Sequence, residues 1–177
     1  RVLFRSKCTK SGHPARTRGG GEMVPMTGHV RFQPPDAQGI ARLVISHPGK
    51  LNALDTTMWR ELRAHVDAVN GADTPPRVIV VQGEGGSFVA GGDIEEFPAF
   101  RFEAGTLAHF HEELVAPALW ALLDCEVPLV AQIEGACVGG GLEIAACCDI
   151  RLCGQGSRFG VPIAKLGFPM APAEIEI

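Results

Sequence analysis

Val78-Ile79-Val80-Val81 has no polar position, and Leu129 to Ile133 is nearly as apolar. A strand with one wet face alternates; a strand that does not alternate is buried on both faces, the habit of parallel sheets covered by helices. Helical patterns lie between these strands. From Met58, apolar residues recur every three or four positions at Leu62, Val66 and Val69, with Asp55 placed to cap the helix and Gly71 and Pro75-Pro76 placed to end it near Asn70. Strands are expected at His29 to Gln33, Ile40 to Ser46, Val78 to Val81, Phe88-Val89, Leu129 to Ile133, Ile150 to Leu152 and Ser157 to Phe159. Pro128 stays outside its strand, since proline cannot donate to a ladder. A second helix is expected over Thr106 to Asp124, and a third from Gly139-Gly140-Gly141 to about Cys148. Alternating strands and helices define an α/β chain.

The chain has 177 residues, 46% of them apolar and 20% charged, enough for one domain with a sizeable core. Its charge is uneven. Residues 1–21 hold six basic side chains and no acid, leaving ten basic against twenty acidic residues in the rest. That first segment reads as a basic leader without packed structure, and residues 28–177 as the body. An acidic body argues against nucleic acid as a partner. No apolar run reaches the ~18 residues of a membrane span. The six cysteines form no CxxC pair and have mostly apolar neighbours, as buried reduced thiols do, which points to the cytoplasm. A transit-peptide reading of residues 1–21 would place the protein in the mitochondrial matrix instead. Upstream sequence ahead of Met23 or Met26 accounts better for the leader, because its glycines and proline break any amphipathic helix.

Two segments can carry chemistry. Phe88-Val89-Ala90-Gly91-Gly92-Asp93 and Gly135-Ala136-Cys137-Val138-Gly139-Gly140-Gly141-Leu142-Glu143 each run from a strand through small residues toward a helix. Small residues admit a ligand to the backbone, and N–H groups at a helix start have no partner within the helix. Taken singly, either cluster fits a tight turn with close packing better than a site. The sequence has no phosphate-binding GxxxxGK[ST] loop, no GxSxG elbow and no complete dinucleotide fingerprint. His109-Phe110-His111-Glu112-Glu113 invites a metal, but on an α-helix His109 and His111 diverge, and His109 with Glu113 is a surface pair, so no metal site is expected.

Together the segments resemble the crotonase (enoyl-CoA hydratase/isomerase) superfamily. The resemblance runs from His29 to Met170, through His47-Pro48 with Leu51-Asn52-Ala53-Leu54, the Phe88 to Ile94 segment, Pro128 to Ala131, the Gly139 to Gly141 turn, Cys148-Asp149-Ile150-Arg151 and Phe159-Gly160-Val161-Pro162. It implies a spiral of ββα units, an acyl-CoA thioester as ligand, and an oxyanion hole from the backbone N–H groups of Gly92 and Gly140. No separate cofactor is implied, CoA being part of the substrate. Asn52, Ala53, Leu54, Ala90, Gly91, Asp93 and Ile94 match segments lining the CoA site, and Glu143 matches one of two catalytic glutamates. The position of the second holds Ile163. The residues therefore supply one carboxylate, which suits proton shuttling at least as well as water addition. An acyl-CoA-binding relative with little turnover, or an inactive fragment, are the alternatives. The resemblance also implies C-terminal helices beyond Ile177, so the chain reads as C-terminally truncated, with no terminal element after Ala171 and with a homotrimer expected only of the full-length chain.

Overall fold

A computed structural model describes residues 2–4, 27–163, 167 and 171–175. Six strands form one sheet: β1 (Val2–Phe4), β2 (His29–Gln33), β3 (Ile40–Ser46), β4 (Val78–Gly83), β5 (Leu129–Ile133) and β7 (Ile150–Cys153), in the order β1-β7-β5-β4-β3-β2. The β2–β3 hairpin is antiparallel, and every other pairing is parallel. Registers such as Ile40 with Val78 and Val80 with Val130 set the apolar runs side by side. A second, two-stranded sheet pairs β6 (Ala136–Val138) with β8 (Arg158–Gly160).

Three described residues of the expected leader, Val2–Phe4, pair in parallel with Arg151 to Cys153, which differs from a leader without secondary structure at those positions. Its other residues lie outside those described. A further correction concerns β4. Ile79 and Val81 are fully buried, but Val78 and Val80 are only half-buried, so the run is sealed on one face rather than both. β5 alternates likewise, with Gln132 exposed.

Helix α1 (Thr56–Asn70) follows the sequence reading closely. Asp55 accepts a hydrogen bond from the Met58 N–H (2.8 Å), and Gly71 closes the far end on the carbonyl of Asp67. Met58, Trp59, Leu62, Val66 and Val69 form its buried stripe. Each such side chain stabilises the docked helix by about 1.5–3 kcal/mol, so docking rather than intrinsic propensity holds it.

The second expected helix begins earlier and is not regular. Helix α2 (Ala104–His109) passes into a π-helical turn, Phe110–Val115, and then into α3 (Ala116–Leu123). A π-turn widens the helix by one residue, so positions beyond it face elsewhere than α-helical spacing predicts. Helix α4 (Gly140–Cys147) begins at the glycine turn as expected. A short helix α5 (Pro172–Ile175), absent from the sequence reading, rests against α3.

Candidate active site

The two glycine segments are laced together. From the end of β4, the turn at Gly85 and Gly86 leads into Phe88 and Val89, both fully buried. Phe88 N–H donates to the Glu134 carbonyl (2.7 Å), Val89 N–H to that of Ala136 (2.9 Å), and Val138 N–H returns to Val89 (2.9 Å). Phe88-Val89 was expected to be a strand; it makes one isolated bridge, Val89 with Cys137.

Further along, Leu54 N–H donates to the Gly91 carbonyl (2.7 Å) and Asp93 N–H to the Leu54 carbonyl (2.8 Å). Successive backbone groups of an extended segment turn to opposite sides. Because Gly91 C=O and Asp93 N–H both turn toward Leu54, the Gly92 N–H turns away from it. Among the described residues that N–H has no acceptor.

Gly139 has φ +50° and ψ −122°, a conformation closed to ordinary side chains, and its N–H is tied to the Gly160 carbonyl (2.8 Å). It turns the chain directly into α4. The Gly140 N–H, at the first position of that helix, also has no acceptor among the described residues, as a helix start requires. Next to it, a Cβ on Gly141 would stand 2.4 Å from the Val89 carbonyl oxygen, so only glycine lets α4 lie against the other segment.

These segments wall one cavity of about 260 Å³, lined by Trp59, Ala90, Gly91, Gly92, Ile94, Gly140 and Glu143, and also by His111, Ile163 and Glu174. Most of the lining is apolar. Burial pushes the Glu143 carboxyl from its ordinary 4.5 up to about 7; the neighbouring Glu174 carboxylate adds to the rise, and His111 opposes it. The Trp59 indole N–H is buried without a hydrogen-bond partner among the described residues.

Of the sequence-predicted residues, the structure brings Gly92, Gly140, Glu143, Ala90, Gly91 and Ile94 together around this cavity. Four others stand behind it. Asn52, with φ +59° and almost fully buried, accepts from the His47 N–H (2.9 Å) and donates to the carbonyls of Glu84, Ser87 and Phe88 (2.8, 2.8 and 3.3 Å). Its side chain is spent on clamping the turn that leads to Gly92. Ala53 accepts from the His47 ring (2.7 Å), and Leu54 is a core residue that bridges Gly92. Asp93 is buried and takes a hydrogen bond from Lys50 Nζ (2.6 Å), which also reaches Glu95 (2.8 Å). Those two carboxylates hold the Lys50 ammonium well above the usual lysine range.

Sequence reasoning missed two residues. His111, read only as diverging from His109 and given no role, is nearly buried and hydrogen-bonded through Nδ1 to Glu174 Oε1 at 2.6 Å. Glu174 is 5% exposed. Ile163 does occupy the expected position, but the cavity holds a second carboxyl from another element. The signal that could have pointed to His111 was its adjacency to aromatic Phe110, which stacks on Phe100 at 4.1 Å and fixes the turn; nothing local signals Glu174. No group of three His, Cys, Asp or Glu side chains that could hold a metal occurs among the described residues. Nor is any helix among them long and apolar enough to cross a membrane.

Two backbone donors without an acceptor among the described residues and the Glu143 carboxyl thus line one apolar cavity, on an α/β fold of the crotonase type. The chain belongs to the enoyl-CoA hydratase/isomerase family: the family's model matches residues 36–174. It is 34% identical over 131 residues to the 2,3-dehydroadipyl-CoA hydratase of Escherichia coli (strain K12), covering 73% of this chain and 49% of that one. It is 28% identical over 146 residues to a mitochondrial Delta(3,5)-Delta(2,4)-dienoyl-CoA isomerase of Dictyostelium discoideum, covering 78% and 50%. Among solved structures, an enoyl-CoA hydratase/carnithine racemase from Magnetospirillum magneticum superposes with a TM-score of 0.76 at 36% identity, over 83% of this chain and 54% of that one. The chain thus spans about half the length of these relatives.

Proposed function

We propose that the cavity holds the acyl end of an acyl-CoA thioester and that the site is of the enoyl-CoA hydratase/isomerase type. One observation carries this reading: the Gly92 and Gly140 segments and Glu143 meet at one cavity, with both N–H groups uncommitted among the described residues. A thioester carbonyl gains negative charge when its α-carbon is deprotonated or its conjugated double bond is attacked. Two fixed donors at that oxygen stabilise the enolate, each by about 3 kcal/mol in comparable oxyanion holes. Gly140 adds the positive end of the α4 dipole.

Glu143 is the acid/base group. It lies one turn along the helix whose first N–H holds the oxygen, so helix geometry rather than a flexible loop sets its distance from the α- and β-carbons. With its carboxyl pushed up to about 7, it exists in both protonation states near neutrality and can take or give a proton. The test is Glu143→Gln, assayed for hydration and isomerisation of short enoyl-CoA thioesters. CoA-ester binding should survive while turnover falls. Unchanged turnover in the variant removes Glu143 from the mechanism. Binding without turnover in the unaltered chain favours an acyl-CoA-binding role.

A further inference from the structure

We propose that Glu174, held by His111, is a second proton-transfer group of this cavity and works opposite Glu143 on the same acyl chain. The inference rests on the acyl-CoA reading above and assigns a residue that the reading does not use.

A buried carboxyl is costly unless something satisfies it. Glu174 is 5% exposed and is hydrogen-bonded at 2.6 Å to a ring nitrogen of His111, itself a cavity residue. A purely structural ion pair would gain most by facing the protein interior. Both members of this pair line the cavity, and so does the Glu143 carboxyl, close enough to Glu174 for the two to interact electrostatically. Two carboxyls sharing one small apolar space resist ionising together, so one keeps a proton while the other is free. That division supplies an acid and a base at once. The contact spans 63 residues, and His111 lies within the π-turn, a local irregularity that recurs at functional sites.

Double-bond migration in a 3-enoyl thioester uses both groups. The cycle opens with Glu143 passing its proton to Glu174, which frees Glu143 for C2. Glu143 takes a proton from C2, and the C–H electron pair moves toward the carbonyl oxygen, giving a dienolate held by the two N–H groups. Glu174 then gives the proton it received to C4. The pair returns from oxygen, C3=C4 is lost and C2=C3 forms. Glu143 ends holding the proton from C2, protonated as it began, which closes the cycle. No atom is gained or lost, and no oxidant or reductant takes part.

The experiment follows a 3-enoyl-CoA thioester in D2O, reading deuterium exchange at C2 by mass spectrometry and the conjugated product by its ultraviolet absorbance. Glu174→Gln should slow migration by about 100-fold or more and leave C2 exchange within about threefold of the unaltered chain. Glu143→Gln should lose both. Should Glu174→Gln fail to fold, Glu174→Asp carries the same test, with migration slowed at least about tenfold and exchange kept. Migration at the unaltered rate in either folded variant overturns the proposal, as does an equal loss of migration and exchange, which would make Glu174 only a support for Glu143. Absence of C2 exchange in the unaltered chain is a different failure: it removes Glu143 as base, and this inference with it.

Discussion

Gly92 and Gly140 line one cavity, and each N–H lacks an acceptor among the described residues by a different device. Gly140 begins a helix, where the first N–H groups have no partner within the helix. Gly92 has its neighbours occupied: Gly91 C=O and Asp93 N–H both bond to Leu54, which turns the Gly92 N–H the other way. The first device is local and needs only the Gly139 turn. The second is borrowed from a segment some forty residues upstream, clamped by Asn52. An oxygen held by both therefore depends on one self-sufficient half and one half that relies on distant bonds.

The largest expected effect falls on the helix half. Glu143→Gln should lower turnover by about 100- to 10,000-fold. The same variant should be more stable at high pH. The folded-state carboxyl titrates at about 7 against an ordinary 4.5, so the folded chain holds that proton across this window while the unfolded chain has released it. Stability is thus lost as pH rises from 4.5 through 7, on the order of 3 kcal/mol by pH 8, and glutamine removes that loss. Melting curves of both forms at pH 4.5 and pH 8 check it: the gap should widen at pH 8.

Asn52→Ala attacks the borrowed half. It leaves the buried His47 N–H without its acceptor, removes the clamp on three carbonyls and puts a Cβ-bearing residue without a side-chain hydrogen bond at φ +59°. A loss of roughly 2–4 kcal/mol is expected by denaturant unfolding. Gly141→Ala tests the seam between the halves. Its Cβ would stand 2.4 Å from the Val89 oxygen, and the resulting shift should cost about 1–3 kcal/mol and weaken ester binding measured by calorimetry. The smallest effect belongs to Arg31→Ala. Arg31 pairs with Glu84 in the same turn that Asn52 clamps, but both side chains are half-exposed, and the change should stay within about 0.5 kcal/mol. A larger loss there would mean that surface charge, not Asn52, holds the turn.

The same contrast explains what the sequence made legible. α1, with Asp55 at its start and its apolar stripe, and the Gly139-Gly140-Gly141 helix start with Glu143 one turn on, are local and periodic, and local rules reach them. Asn52 was visible as a neighbour of the site but not as its clamp, because its partners lie more than thirty residues away. His111 was read as diverging from His109, which is exposed, but its place in the cavity was not read, because it depends on the distant contact with Glu174. Glu174 was not read at all: its place in the cavity follows from a tertiary contact with His111, 63 residues away, which no periodicity encodes.

The central claim is that both halves hold one carbonyl oxygen. The direct measurement is the vibrational spectrum of a bound acyl-CoA thioester carrying a carbon-13 label at the carbonyl, taken by infrared difference. Two hydrogen bonds should move its C=O stretch to lower frequency on binding, with a smaller displacement in Asn52→Ala, where only the Gly140 half stays intact. A carbonyl band unmoved between free and bound ester would contradict the account.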